Sequence, residues 1–240
     1  MRKVLLSKGA LIGIYFFIFA VALFLIVKST PLREVLFRKS RFAIGDIIRH
    51  FPFSKENSLK EWEEKTLKGR VVYSIERDES LSYVRAKSTK TASALYYKIK
   101  LNINKHPILS WKWRVDEFPK RSLPERIDDI EEEDFAARVY VIFPAAFFTK
   151  SKVIEYIWSE TIPKDTSGVS GYSKNIKILV LEKGKTNDWQ YEKRNIYKDY
   201  IKLFGERPKL HVGAIAFMTD ADSTNTSADA VYDEIRIGYK

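Results

Sequence analysis

The sequence predicts an all-β sandwich that follows a single membrane-spanning helix. From about residue 51 onward, short segments rich in Val, Ile, Tyr and Trp alternate with turn residues, a pattern typical of β-strands. Nine such segments, separated by long loops, fit two packed sheets better than a helical fold. Ahead of them, residues 9–27 form an uncharged run of 19 residues. We therefore expect an anchor at residues 1–28, a basic juxtamembrane segment at 29–50 and one sandwich domain at 51–240.

The N-terminal run, GALIGIYFFIFAVALFLIV, is long enough to cross a bilayer. As an α-helix it spans roughly 28 Å, close to the thickness of the hydrocarbon core. The basic residues Arg2, Lys3 and Lys8 precede it. The candidate small-x-small cleavage site, Ala20-Val21-Ala22, lies inside the run, and five apolar residues follow it. This arrangement favours an uncleaved signal anchor over a cleaved signal peptide.

The charges around the run favour a cytoplasmic domain, because more basic residues follow it than precede it. Residues 30–40 are compatible with a short amphipathic helix on the membrane surface or with an irregular stalk. The sequence contains no cysteine. This absence fits either compartment, and it excludes thiol catalysis, a disulfide framework and thiolate metal sites.

Turn residues separate each predicted strand from the next. In chain order, the nine strands are residues 69–77, 82–87, 94–101, 108–115, 136–143, 177–182, 189–195, 212–219 and 231–238. Two helices are also predicted, at residues 59–65 and 198–204. In the second helix, Ile201 and Phe204 have helical spacing and Gly205 supplies a stop.

Five motifs in this domain resemble, in the same order, the bacterial family catalogued as domain of unknown function 3047. They are LSWKWRVDEFP, EEDFAARVYVIFP, LVLEKG, WQYEKRNIYKDY and AIAFMTDADSTNTSADAVYDEI. The early layout and the closing Tyr232-Asp233-Glu234-Ile235 also resemble the sandwiches of carbohydrate-binding modules. The resemblance implies a jelly-roll (galactose-binding-like) fold. Because members of the family generally carry export signals, it also implies a domain that faces the periplasm from the bacterial inner membrane.

Side-chain alternation separates the expected core from a possible binding face. Trp111 and Trp113 share a face with other apolar residues and are assigned to the core. Arg114, Arg138 and Tyr140 fall on the opposite faces of their strands. We expect these three residues to line one polar face that receives a ligand, unless the arginines only form structural salt bridges.

Two acidic residues complete the predicted binding site. Asp134 lies next to the strand predicted at residues 136–143, whereas the neighbouring acids from Asp128 onward fit a solvated loop. Glu182 ends another strand, and alternation places it on the same face as Ile178 and Val180, so it is either a buried acid at a strand end or part of the same polar surface. Either acid could contribute to a hydrogen-bonding groove.

The segment TDADSTNTSAD offers hard oxygen donors, and its Asp220 and Asp222 are candidate calcium ligands. The loop has no glycine at the sixth position and has Val231 at the twelfth, which excludes an EF-hand. The alternative is a turn in which side-chain oxygens bind nearby backbone amides.

Recognisable catalytic motifs are scarce. The three histidines, His50, His106 and His211, have no metal-binding spacing, and the chain contains no P-loop, dinucleotide-binding turn or Gly-x-Ser-x-Gly motif. No nucleic-acid-binding motif is present either. We therefore expect a membrane-anchored envelope protein that binds a glycan or polysaccharide without converting it. The alternatives are a hydrolase of envelope glycans that uses Glu182, Asp134 or Asp220 as acid or base, and a scaffold for another envelope protein.

Overall fold

Thirteen strands and one α-helix make up the part of the chain that the computed structural model describes, residues 48–239 without 55–57, 79–80, 146–149 and 210. The strands are β1 (Arg49–Phe51), β2 (Glu63–Lys68), β3 (Val72–Arg77), β4 (Ser82–Thr89), β5 (Ala92–Leu101), β6 (Ile108–Glu117), β7 (Ala137–Phe143), β8 (Lys152–Ser159), β9 (Ser167–Ser170), β10 (Ser173–Lys183), β11 (Gln190–Asn195), β12 (Val212–Asp220) and β13 (Ser227–Tyr239). The helix α1 is Ile196–Phe204.

The strands form two sheets. A six-stranded sheet has the order β11-β6-β13-β4-β3, and β1 also pairs with β13. A seven-stranded sheet has the order β2-β5-β12-β7-β8-β10-β9. The strand pairs described in both sheets are antiparallel, apart from the parallel pair β8 and β10. The fold is therefore an all-β sandwich, as the sequence predicts.

The main hydrophobic core lies between the two sheets. Trp111 and Trp113 of β6 are fully buried there, as alternation predicts. Their rings meet edge to face with centroids 5.4 Å apart, and Trp113 also contacts Trp158 of β8 at 5.7 Å. The Tyr232 hydroxyl donates a hydrogen bond of 2.6 Å to the Met218 carbonyl oxygen, which joins the two sheets inside the core.

The nine predicted strands are confirmed with shifted ends, and so is the second predicted helix. Its first turn is capped by the Asn195 side chain, which accepts a hydrogen bond from the Lys198 amide, and Gly205 ends it at a φ of 70°. The helix predicted at residues 59–65 is wrong. Only Ser58–Glu61 form a 3₁₀ turn, and β2 begins at Glu63, where backbone pairing with β5 outweighs the local helical pattern.

Four strands, β1, β2, β8 and β9, lie outside the predicted set. The predicted anchor, residues 1–28, and residues 29–47 of the predicted basic juxtamembrane segment fall outside the described residues. The end of that segment contains the first residues of β1. Whether the anchor spans a membrane therefore stays a prediction.

Within the described part of the chain, no helix has both the length and the apolar character needed to cross a membrane.

Candidate functional site

The two predicted ligand-binding arginines lie on opposite outer faces of the sandwich. Trp113 of β6 and Val139 of β7 point into the core between the sheets. Their neighbours Arg114 and Arg138 therefore point away from it, Arg114 on the six-stranded sheet and Arg138 on the seven-stranded sheet. The prediction that both arginines share one face is wrong, because alternation gives the side of a strand and not the sheet to which the strand belongs.

Arg114 belongs to a network of charged side chains at the surface. It donates hydrogen bonds of 2.6 and 3.1 Å to the Asp116 carboxylate, and its guanidinium lies 5.4 Å from the centre of the Trp189 ring. Arg85 donates to the same carboxylate at 2.8 Å. The contacts of Arg114 are thus those of a paired surface arginine.

Arg138 is the centre of a buried charged cluster on the outer face of the seven-stranded sheet. Its side chain is only 1% exposed. Nη1 lies 2.9 Å from Glu155 and donates to the Tyr140 hydroxyl at 3.3 Å, and Nη2 lies 3.0 Å from Asp220. Glu155 is not among the predicted site residues, because strand β8 was not predicted. Glu155 lies directly opposite Tyr140 in the pairing of β7 with β8.

The cluster contains more carboxyl groups than cations. Glu133, which accepts a hydrogen bond of 2.9 Å from the Ser170 hydroxyl, is also buried near Glu155. Burial raises the pKa of Glu133 and of Glu155, and it raises the pKa of Asp220 despite the opposing effect of Arg138. Burial therefore favours the neutral form of these acids, and buried acids with shifted pKa values are common at functional sites.

Asp134 and the two predicted calcium ligands come together beside this cluster. Asp134, Asp220 and Asp222 each offer a carboxylate oxygen, and these oxygens lie within 4.8 Å of one another. Hard oxygen donors of this kind could hold a divalent cation such as calcium. The Lys68 ammonium lies 3.5 Å from Asp222 and partly neutralises the group.

The predicted alternative, a turn in which side-chain oxygens bind backbone amides, is also present. Most of these hydrogen bonds are accepted by Asp134, which lies outside the loop. The Asp134 carboxylate accepts hydrogen bonds from the amides of Thr224 at 2.7 Å and Ser223 at 3.4 Å. Asp220 accepts one from the Phe135 amide at 3.2 Å. Hydrogen bonds between carboxylates and backbone amides therefore join the loop after β12 to the segment before β7. Calcium binding stays a prediction.

An open groove of about 390 Å³ lies where Ser223 and Thr224 bind Asp134. It is lined by Lys120, Arg121, Ser122, Glu131, Glu132, Ser223 and Thr224. Arg121 is held in place by the carbonyl oxygen of Glu132 at 2.9 Å and by that of Asp134. Burial raises the pKa of Glu132. Because Ser223 and Thr224 line the groove and also bind Asp134, the groove and the acidic cluster form one continuous site.

Glu182 lies away from this groove. A β-bulge between Val180 and Glu182 shifts the alternation, so that Glu182 pairs with the core residue Trp158 instead of following Ile178 to the outer face. The prediction that Glu182 shares a face with Ile178 and Val180 is therefore wrong. Its carboxylate forms an ion pair with Lys164, and burial together with this neighbouring carboxylate raises the pKa of Glu192 of β11.

Comparisons with known proteins agree with the predicted family. A family model described as "Protein of unknown function (DUF3047)" matches residues 60–236. A search of curated proteins found no match.

Several solved structures are similar to this chain. The family 11 carbohydrate-binding module of the cellulosomal cellulase Lic26A-Cel5E of Clostridium thermocellum is 10% identical, with 83% of this chain and 97% of that chain covered and a TM-score of 0.43. The xyloglucanase domain of NopAA from Sinorhizobium fredii is 12% identical, with coverages of 75% and 93% and a TM-score of 0.43. Endoglucanase 3 of Trichoderma harzianum, from family GH12, is 9% identical, with coverages of 75% and 98% and a TM-score of 0.41.

Proposed function

This chain belongs to the DUF3047 family, and from its site we propose that it binds a hydroxyl-rich glycan in the polar groove beside Asp134. One observation carries the proposal: an open groove of about 390 Å³ is lined by charged and hydroxyl side chains and rests on buried carboxylates. Such a lining fits a ligand that exchanges many hydrogen bonds with water for hydrogen bonds with protein.

The chemistry of the lining matches sugar hydroxyls. Lys120 and Arg121 can only donate hydrogen bonds, Glu131 and Glu132 accept them when ionised, and the serine and threonine hydroxyls do both. A sugar hydroxyl is also both donor and acceptor, so a glycan can satisfy each of these groups. The mixture of positive and negative charges favours an uncharged polar ligand over a polyanion.

The groove is preorganised. Carbonyl oxygens from two residues orient Arg121, which is also 3.5 Å from the fully buried Glu125 carboxylate. Asp134 holds the backbone of Ser223 and Thr224 from below. A ligand that enters therefore finds side chains whose conformational entropy is already reduced, and this lowers the entropic cost of binding.

A glycan-array screen of the full chain, purified in detergent, tests the proposal. We expect binding to a defined set of glycans, and we expect the double variant Lys120→Ala and Glu131→Gln to weaken it at least tenfold without changing the melting temperature. Both side chains are exposed, so their loss should not disturb folding. Arg126→Ala is the matched control, because this exposed residue on the same segment pairs with Asp128 and lies outside the groove lining.

The screen also separates the alternative functions. A hydrolase would release shorter sugars from a bound polysaccharide, whereas a binding protein leaves the polymer intact. Binding that survives the double variant would place the ligand elsewhere. An array without any bound glycan would remove the proposal and favour a protein scaffold.

For the location of the domain, we propose that residues 9–27 anchor it in the inner membrane and that it faces the periplasm. The uncharged run and the export signals implied by the family resemblance support this proposal. An envelope glycan would then be within reach of the groove.

A further inference from the structure

Two glutamates from different sheets meet at one edge of the hydrophobic core. Glu182, near the end of β10 in the seven-stranded sheet, pairs with Trp158. Glu192, in β11 of the six-stranded sheet, pairs with Trp111. Both tryptophans belong to the core between the sheets, so both carboxyl groups point to that side. Trp113 packs against both tryptophans, 5.4 Å from Trp111 and 5.7 Å from Trp158, so the two carboxyl groups lie beside the same aromatic cluster.

The cations around the pair do not balance it. Lys164 forms an ion pair with Glu182, but its own side chain is 53% exposed. Arg194 of β11 donates hydrogen bonds of 2.7 and 3.0 Å to Asp199 of α1 and is therefore already paired. The neighbouring indoles of Trp111 and Trp113 carry no charge. Two ionised carboxylates in this place would repel each other with little compensation.

We propose that Glu182 and Glu192 form a proton-dependent clasp that holds the edge strand β11 against the seven-stranded sheet. While the pair shares a proton, one carboxyl group donates a hydrogen bond to the other. When both are ionised, the hydrogen bond is lost and the like charges push the two sheets apart at this edge. Strand β11 is an edge strand with β6 as its neighbour in the sheet, so its outer side depends on contacts such as this one.

The proton is lost near neutral pH. Burial and the neighbouring Glu182 carboxyl raise the pKa of Glu192 to about 7 from its usual 4.5. Between these values the folded protein retains a proton that the unfolded chain has released. The stabilisation from the clasp is therefore complete below about pH 4.5 and is lost as the pH rises through about 7.

Hydrogen exchange of the full chain in detergent, followed by mass spectrometry, tests the clasp. After correction for the intrinsic rate at each pH, we expect peptides from β11 to exchange about 30-fold faster at pH 8 than at pH 5.5. The pKa of about 7 lies roughly 1.5 units above pH 5.5, and each unit corresponds to a factor of ten. Glu192→Gln, which keeps the hydrogen bond without the charge, should remove this difference. Glu117→Gln, an exposed glutamate on β6, should retain it.

A second variant keeps the test decisive. If Glu192→Gln does not fold, Glu182→Gln removes the neighbouring charge and should also reduce the pH dependence of β11. Equal corrected exchange at both pH values in the unaltered protein would overturn the clasp. A pH dependence that persists in the glutamine variant would overturn it as well.

Discussion

Arg138 and Asp220 form an ion pair between neighbouring strands, with 3.0 Å between Nη2 and Oδ2 and both side chains buried. Glu155 on the other side of Arg138 makes a second pair at 2.9 Å. The guanidinium thus neutralises two carboxyl groups that would otherwise be buried without a counterion. Its contacts are those of a structural residue under the proposed glycan-binding groove.

Replacement of Arg138 by alanine should destabilise the domain strongly. Loss of one partner from a buried ion pair typically costs about 3 to 5 kcal/mol, which is similar to the cost of truncating a core tryptophan such as Trp113. Urea unfolding of both variants measures the loss. Arg114→Ala is the control, because its partly exposed pair with Asp116 should contribute about 1 kcal/mol or less. If Arg138→Ala is destabilised no more than Arg114→Ala, then Arg138 is a solvated binding residue.

Asp233 should make stability fall with increasing pH. Burial raises its pKa to about 6 from 3.8, and its Oδ1 has no hydrogen-bond partner among the described residues. The folded state thus favours the neutral acid, and this contribution is complete below about pH 4 and lost as the pH rises through 6.

Between pH 4 and pH 7, we expect the free energy of unfolding to fall by about 2 to 3 kcal/mol less in Asp233→Asn than in the unaltered protein. Denaturant unfolding at both pH values measures this difference, and an NMR titration of the Asp233 carboxyl gives its pKa directly. Identical pH profiles for the two proteins would rule out a shifted Asp233.

Calcium should stabilise the domain if Asp134, Asp220 and Asp222 bind it. A ligand that binds only the folded state raises the melting temperature by mass action, so the increase should grow with calcium concentration and disappear with a chelator. Asp222→Asn should abolish the increase, while Asp188→Asn, at an exposed residue, should not. A melting temperature that is independent of calcium would leave these carboxylates with their backbone-binding role alone.

The proposed location predicts the activity of reporter fusions. Alkaline phosphatase fused after Lys240 should be active, because this enzyme needs the oxidising periplasm for its disulfides. A reporter that works only in the cytoplasm should be inactive at the same position. The reverse pattern would place the domain in the cytoplasm, as the charges around residues 9–27 suggest.

The sequence could predict those parts of the fold that depend on local pattern. Strands such as β6 and β7 alternate apolar and polar residues clearly enough to identify the core residues Trp111 and Trp113. The edge strand β9 has only four residues, Ser-Gly-Val-Ser, and this composition does not predict a strand. The strand forms because its backbone pairs with β10. Strand β8 does carry a usable signal in its Val, Ile, Tyr and Trp residues.

The site was harder to predict because it depends on relations between strands. No local pattern shows that Arg114 and Arg138 belong to different sheets. The ion pair of Arg138 with Glu155 follows from the register of β7 with β8, and the position of Glu182 follows from a bulge. The fold does bring together five of the predicted candidates: Arg138 contacts Tyr140 and Asp220, and Asp220 lies beside Asp134 and Asp222.

The position of β13 within the six-stranded sheet has a consequence for biosynthesis. This last strand lies between β6 and β4 and also pairs with β1, the first strand described. A ribosome makes these 13 residues after the other described strands, so until then the sheet lacks its central strand and its most distant contacts cannot form. The described domain consequently cannot complete its fold until β13 has left the ribosome.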